Sequence, residues 1–322
     1  MRTQRRTRHP RRVALAALAL ATSAGAQAAD CTLTHENTRV VSRVDSASTL
    51  TLDAGDEVKL IGALPPEPLS DAITSHTGEE AQASTMATPS PEAATRHALT
   101  ALTAGKSVEI AIGGRRKDRY GRLLAHAFVG SGDERKWVQG ELVESGYARA
   151  YALPGSAVCL DDLLRKERAA RDARRGHWAT GVFIDRDATS TRDLMALTGT
   201  FQTVTGEISQ VSGGHGRDRG RLVLVFRSST TRALSAEIAT SSRDAPRIRR
   251  PPAGEAHDIH HLKGALVRVR GWIESTRTGP RIKLTELNEI EVLRLADPSP
   301  AFEPPPEIAR PDLPPTVIPA GQ

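Results

Sequence analysis

Aromatic residues are scarce in this chain: Phe, Trp and Tyr make up 3% of its 322 residues. Its cores must therefore be built from Leu, Val, Ile and Ala. Beyond the N-terminal region, no apolar run reaches the ~20 residues that a membrane-spanning helix needs. Net charge is also nearly absent there, because the excess of +6 equals the six Arg of the first twelve residues. Overall charge is therefore no evidence for nucleic-acid binding by the rest of the chain.

The composition nevertheless supports packed domains. Hydrophobic residues make up 39% of the chain and charged residues 25%, which excludes collagen and simple disorder. At ~100–200 residues per domain, the length predicts two domains, or one domain with tails.

The N-terminus has the layout of a secretory signal peptide. A basic stretch over residues 2–12 precedes an uncharged run from Val13 to Ala24, and Ala26-Gln27-Ala28 follows as a small-x-small cleavage site. We therefore expect residues 1–28 to be removed, and the mature protein to be soluble and exported, either periplasmic or secreted.

Export gives the two cysteines, Cys31 and Cys159, a predicted role. An even cysteine count in an oxidising compartment favours one disulfide between them. The alternative is a lipoprotein acylated on Cys31, although Asp30 stands where that signal has Gly, Ala or Ser.

The first predicted domain covers residues 29–179. Alternating apolar residues predict strands, Asp53-Ala54-Gly55-Asp56 predicts a hairpin turn, and Ser90-Pro91-Glu92 predicts a helix start. The expected strands lie at 39–41, 49–52, 58–61, 107–112 and 123–129, and the expected helices at 91–104, 137–145 and 159–178. Residues 180–198 are predicted to be a linker.

The second predicted domain covers residues 199–295 and has the element order of an OB-fold barrel. Strands are expected at 202–211, 219–227, 233–239, 265–274 and 281–287, with a short helix at 256–262. Residues 296–322 hold nine of the chain's twenty prolines and are predicted to form a disordered tail.

Positive charge concentrates in this second domain, which has 16 basic and 10 acidic residues. Strand alternation puts Val267 and Val269 inside the barrel. It puts basic side chains and one aromatic on the outer face: Arg268, Arg270, Trp272, Arg281 and Lys283. Such a face could bind phosphates and a stacked base of DNA or RNA. The alternative is an ordinary solubilising face with Trp272 at an interdomain contact.

Three stretches resemble one known family. Lys117-Asp118-Arg119-Tyr120-Gly121-Arg122-Leu123-Leu124-Ala125 resembles the D-x-Y-G-R-x-L-A motif of staphylococcal-nuclease-like (thermonuclease) domains. The segment from Val58 to Glu67 and the helices that begin near Trp137 and Glu167 resemble other parts of those domains. The resemblance covers about residues 40–178 and implies an OB-type barrel with helices. The expected fold is mainly β with helices (α+β), with this barrel followed by a second OB-like barrel.

The resemblance also implies a chemistry. Members of this family hydrolyse DNA and RNA phosphodiesters with one Ca²⁺. Glu67 falls at their general-base position, Arg122 at one phosphate-binding Arg, and Lys59 where the other Arg belongs. Lys keeps the positive charge but loses the bidentate fork of Arg.

The family's calcium ligands are replaced in this sequence. The two acids of its D-G-D-T-L turn correspond to Ser46 and Ser48, and its other acid corresponds to Leu64. Asp45 lies one residue too early, and Asp53 and Asp56 are further substitutes. No set of metal ligands is identified, so binding of Ca²⁺ is left open.

Three functions remain compatible with the sequence. The chain is a calcium-dependent phosphodiesterase that uses Glu67 and Arg122, or a nucleic-acid-binding protein that has lost metal catalysis. The third possible function is that of a non-catalytic periplasmic or envelope protein whose barrels contact other proteins.

Overall fold

The computed structural model describes residues 31, 33–67, 89–213, 220–239, 247–249 and 256–296. The predicted signal peptide and nearly all of the predicted tail lie outside these residues. In the part that is described, no helix has the length and apolar character needed to cross a membrane. The described residues form strands and four α-helices arranged around two barrels.

The first barrel closes through five strands. The strands of this domain are β1 Thr34–Ser46, β2 Thr49–Leu52, β3 Glu57–Leu60, β4 Ala63–Leu64, β5 Ser107–Ile112, β6 Leu123–Val129, β7 Lys136–Trp137 and β8 Arg149–Ala150. β1 pairs with β2 and β5, β2 with β3, and β5 with β6, all antiparallel, and the parallel pair β3–β6 closes the barrel. The hairpin turn predicted at Asp53–Asp56 is confirmed, with Gly55 at positive φ.

Three helices pack on this barrel: α1 Pro91–Thr103, α2 Val138–Glu144 and α3 Leu160–Asp172. Ser90 caps α1 by accepting a hydrogen bond from the backbone N–H of Ala93, as the Ser-Pro-Glu pattern predicts. The predicted helix over 159–178 is wrong beyond Asp172. Arg174 takes a positive φ there, and a separate 3₁₀ turn follows at 176–178.

The second barrel repeats this connectivity. Its strands are β9 Asp185–Asp187, β10 Phe201–Gly213, β11 Arg221–Phe226, β12 Ser235–Ala239, β13 Arg247–Arg249, β14 Ala256–Asp258, β15 Leu266–Thr276, β16 Gly279–Leu284 and β17 Ile290–Arg294. β10 pairs with β11 and β15, β11 with β12, and β15 with β16, and the parallel pair β12–β16 closes the barrel. Residues 256–262 form a strand and a 3₁₀ turn instead of the predicted helix.

The linker predicted over 180–198 is wrong, because most of it is built into the second barrel. Strand β9, Asp185–Asp187, pairs in parallel with β10, and helix α4, Thr191–Ala196, follows it. Ala188 and Leu194 are fully buried in the core of that barrel. These two residues anchor the segment in the barrel core.

The cores are largely aliphatic, as the composition predicts, and each barrel has its own core. A disulfide joins Cys31 to Cys159, the residue just before α3, with 4.7 Å between their Cα atoms. The start of the described chain is thereby attached to the helix that also contacts the second barrel.

Candidate functional site

A basic turn between β5 and β6 carries the most specific sequence motif. Asp118 organises this turn: its carboxylate accepts hydrogen bonds from the backbone N–H groups of Tyr120 (2.9 Å) and Arg122 (3.0 Å) and from Arg122 Nε (2.8 Å). Gly121 supplies the positive φ that the tight turn requires. The fold thus fixes both the backbone and the Arg122 guanidinium.

Tyr120 lies on the outside of this turn and is 67% exposed. The guanidinium carbons of Arg119 and Arg122 lie 4.8 and 5.3 Å from the centroid of its ring. Exposed Arg115, Arg116 and Lys117 precede it, and Arg116 pairs with Glu36. The turn therefore presents an aromatic ring surrounded by positive charge.

Lys59 lies close to Arg122 because β3 and β6 are paired, with Lys59 opposite Leu124. Its Nζ donates a hydrogen bond to Ser48 Oγ at 2.5 Å. Burial lowers the pKa of the Lys59 ammonium, the positive charge of Arg122 lowers it further, and Asp118 opposes both. Two of the three predicted catalytic residues, Lys59 and Arg122, are thus brought together.

Glu67 occupies a different environment, at the contact between the two barrels. The backbone of Phe201 and the positive charge of Arg149 both favour the ionised form of its carboxylate. Burial raises the pKa of Glu67 against these two effects. Its Oε1 is buried and has no hydrogen-bond partner among the described residues. The structure does not group Glu67 with Lys59 and Arg122.

The predicted carboxylate substitutes for metal ligands are engaged elsewhere. Asp45 accepts a hydrogen bond from Thr51 Oγ1 (2.5 Å) and pairs with Arg43, while Asp53 and Asp56 both pair with Arg39. In the described part of the chain, no three His, Cys, Asp or Glu side chains are grouped so as to hold a metal ion. Calcium takes about six to eight oxygen ligands, and these residues do not fit it.

The predicted exposure of Arg268 and Arg270 is wrong. Arg270 is 2% exposed and pairs with Glu167 of α3 at 2.8 Å. Arg268 pairs with Asp185 and with Glu291, each at 2.8 Å. Both side chains do point out of their own barrel, but α3 of the first domain lies against that face.

The remaining residues of that predicted face are only partly free. Trp272 is 45% exposed and its ring lies edge-on to Phe201, 5.9 Å between centroids. Arg281 and Lys283 both pair with Glu274, at 2.7 and 3.0 Å. This face therefore contacts the first domain, and the basic residues at its edge are neutralised by Glu274.

Sequence reasoning missed Arg149 and Glu167 as partners in this contact. Both are buried, and Arg149 lies over the rings of Phe183 and Phe201. A signal for Glu167 did exist. It shares the buried stripe of α3 with Leu160, Leu163 and Ala170, and a carboxylate in an apolar stripe implies a buried partner.

Comparison with known proteins agrees with the geometry of the first domain. A family model described as Staphylococcal nuclease homologue matches residues 77–180, which include the Asp118–Arg122 motif and α3. No curated protein matches the chain. The chain therefore carries a staphylococcal-nuclease-like domain of OB type, followed by a second five-stranded barrel.

Proposed function

We propose that this protein is exported and binds single-stranded DNA or RNA through the Tyr120 turn, without calcium-dependent hydrolysis. The observation that carries the proposal is the exposed Tyr120 ring flanked by Arg119 and Arg122. The nuclease-like domain supports a nucleic-acid-related role in general terms.

The turn has the two properties that single-strand binding needs. Each base offers a π-face that can stack on an aromatic ring, and the backbone phosphates are attracted by basic side chains. Residues 113–122 contain five basic residues and one acid. The Asp118–Arg122 pair leaves the guanidinium close to the ring.

Binding is favoured over hydrolysis by the position of the candidate general base. A base must lie within hydrogen-bond reach of the water that it activates, close to the groups that hold the phosphate. Glu67 instead lies beside Arg149 and Phe201. Lys59 and Arg122 are close enough to each other for their positive charges to repel. The oxygens of Asp45 are already taken by Arg43 and Thr51.

The test is fluorescence anisotropy of a labelled single-stranded oligonucleotide with the purified full-length mature protein. Tyr120→Ala should cost about 1–3 kcal/mol of binding if a base stacks on the ring. Arg119→Gln should weaken binding and reduce its salt dependence, whose slope is about −0.7 per phosphate neutralised. Arg192→Gln, an exposed residue of α4, is the matched control.

Unchanged affinity in both Tyr120→Ala and Arg119→Gln would refute the proposal for this surface. An absence of oligonucleotide binding by the wild-type protein would favour the rival function, a protein-interaction module.

The export part of the proposal is supported by the sequence of residues 1–28 and by the Cys31–Cys159 disulfide, a bond typical of oxidising compartments. N-terminal sequencing of the protein from the periplasm or medium should begin at Ala29. An intact N-terminus in that fraction would contradict cleavage after Ala28.

A further inference from the structure

Ser48 lies in the tight turn between β1 and β2, beside the ammonium group of Lys59. Its hydroxyl accepts the 2.5 Å hydrogen bond from Lys59 Nζ, and its own side chain is buried. Ser48 also stands where the resemblance places an acid of the family's metal-binding turn. A side-chain ammonium therefore contacts the position at which related nucleases have a carboxylate.

Lys59 and Arg122 place two positive charges at this contact, and the nearby carboxylates are engaged by other groups. Besides burial, which lowers the pKa of Lys59, the charge of Arg122 lowers this pKa and the charge of Asp118 raises it. The Asp118 carboxylate is already occupied by Arg122 and by two backbone N–H groups. Glu92 accepts a hydrogen bond from the backbone N–H of Ala47 at 3.1 Å, and Asp45 is engaged by Arg43 and Thr51.

We propose that the Lys59 ammonium replaces the divalent cation, so that Lys59, Ser48 and Arg122 form a metal-independent site for a phosphate group. This inference rests on the proposed function, because the phosphate is that of the bound strand.

Electrostatics disfavour a metal ion at this position and favour a phosphate. A calcium ion at Ser48 would lie beside the Lys59 ammonium and near the Arg122 guanidinium, and like charges so close repel. Leu64, at the other expected ligand position, offers no side-chain oxygen. A phosphate in the same place would accept hydrogen bonds from two cations, and such charge-assisted bonds are the strong ones.

The first arm of the experiment is titration of the wild-type mature protein with calcium chloride in a calorimeter. We expect no binding at millimolar calcium. Binding with a dissociation constant of about 1 mM or lower, weakened by Ser48→Ala, would overturn the inference.

The second arm compares oligonucleotide affinity in calcium with affinity in chelator, by anisotropy. We expect equal affinities for the wild type, and a loss of about tenfold for Lys59→Met in chelator. Lys106→Met is the control, because Lys106 is exposed and donates only to backbone carbonyls at the end of α1. Because Lys59 is partly buried, thermal unfolding must show that Lys59→Met is folded, and Lys59→Arg should retain most of the affinity.

The outcomes separate the two proposals. Stronger binding in calcium, or equal affinity of folded Lys59→Met and wild type, would overturn the role of Lys59 while leaving the Tyr120 turn intact. If the wild type binds no oligonucleotide, the proposed function and the phosphate role both fail. The calcium titration then still decides whether the ammonium has displaced the metal.

Discussion

Glu167 and Arg270 form a 2.8 Å ion pair although both side chains are buried and belong to different barrels. Glu167 also accepts hydrogen bonds from the backbone N–H of Ala150 (2.6 Å) and from Arg171 (2.5 Å). The carboxylate is fully buried, and these donors keep its pKa low in spite of that burial. One helix of the nuclease-like domain thus holds the second barrel through a buried charge.

Further polar contacts extend this interface. Arg168 of α3 pairs with Glu291 of β17 at 2.8 Å, and Asp161 accepts a hydrogen bond from Asn288 at 2.9 Å. A fragment limited to residues 199–295 would lack every partner from α3. Experiments on the surface of the second barrel therefore need the whole chain.

Breaking the central pair should destabilise the protein strongly. Arg270→Met leaves the buried Glu167 with a reduced set of partners, and removal of one partner from a buried pair costs about 3–5 kcal/mol. Arg227→Met, at the exposed pair with Glu207, should cost less than about 1 kcal/mol. The free energies of unfolding from denaturant titrations provide the comparison, and equal small losses would contradict a structural role for the pair.

The interface should also weaken in acid. Burial opposes ionisation of Glu291, but Arg268 and Arg168 hold the pKa of its carboxyl at about 2. A lowered pKa stabilises the fold above the unfolded value of ~4.3, and that stability is lost as the pH falls toward 2. The loss amounts to at most about 3 kcal/mol.

Measurement of unfolding between pH 7 and pH 2 checks this prediction. Glu291→Gln should be less stable than the wild type at pH 7, and the two should converge near pH 2. A constant difference across that range would show that the Glu291 charge does not couple to folding.

Glu67 should behave as an interface residue with the opposite pH dependence. Burial raises the pKa of its carboxyl, so its ionised form costs stability at neutral pH. That cost disappears as the pH falls below the unfolded value. Glu67→Gln should therefore be more stable than the wild type at pH 7 and equal to it in acid, with unchanged oligonucleotide affinity. Reduced affinity in this variant would place Glu67 in the binding site.

The disulfide should contribute substantially to stability. Cys31 and Cys159 are separated by 128 positions, and the chain-entropy model gives about 4–5 kcal/mol for a closed loop of that length, as an upper figure. The Cys31→Ser/Cys159→Ser double variant should lose part of this value in denaturant titrations, and a reducing agent should affect only the wild type. Two freely alkylated thiols in the native protein, purified without reducing agent, would refute the bond.

Much of the fold could be predicted from local pattern, whereas the contact between domains could not. The start of α1 at Pro91 follows from capping, and the strands at 107–112 and 123–129 follow from short, mainly apolar runs. Both signals depend on adjacent residues. Arg270 points out of its barrel as alternation predicts, but alternation cannot distinguish solvent from another domain. Lys59 meets Ser48 because their strands pair in the sheet. Glu67 lies apart from them because it contacts Phe201 of the second barrel. Neither relationship can be read from adjacent residues.

Digestion of single-stranded DNA and RNA by the purified protein, in calcium and in chelator, distinguishes binding from calcium-dependent hydrolysis. We expect the strands to stay intact in both buffers while anisotropy shows them bound. Robust cleavage in calcium, absent in chelator and abolished by Glu67→Gln, would contradict it and would make the protein a calcium-dependent nuclease.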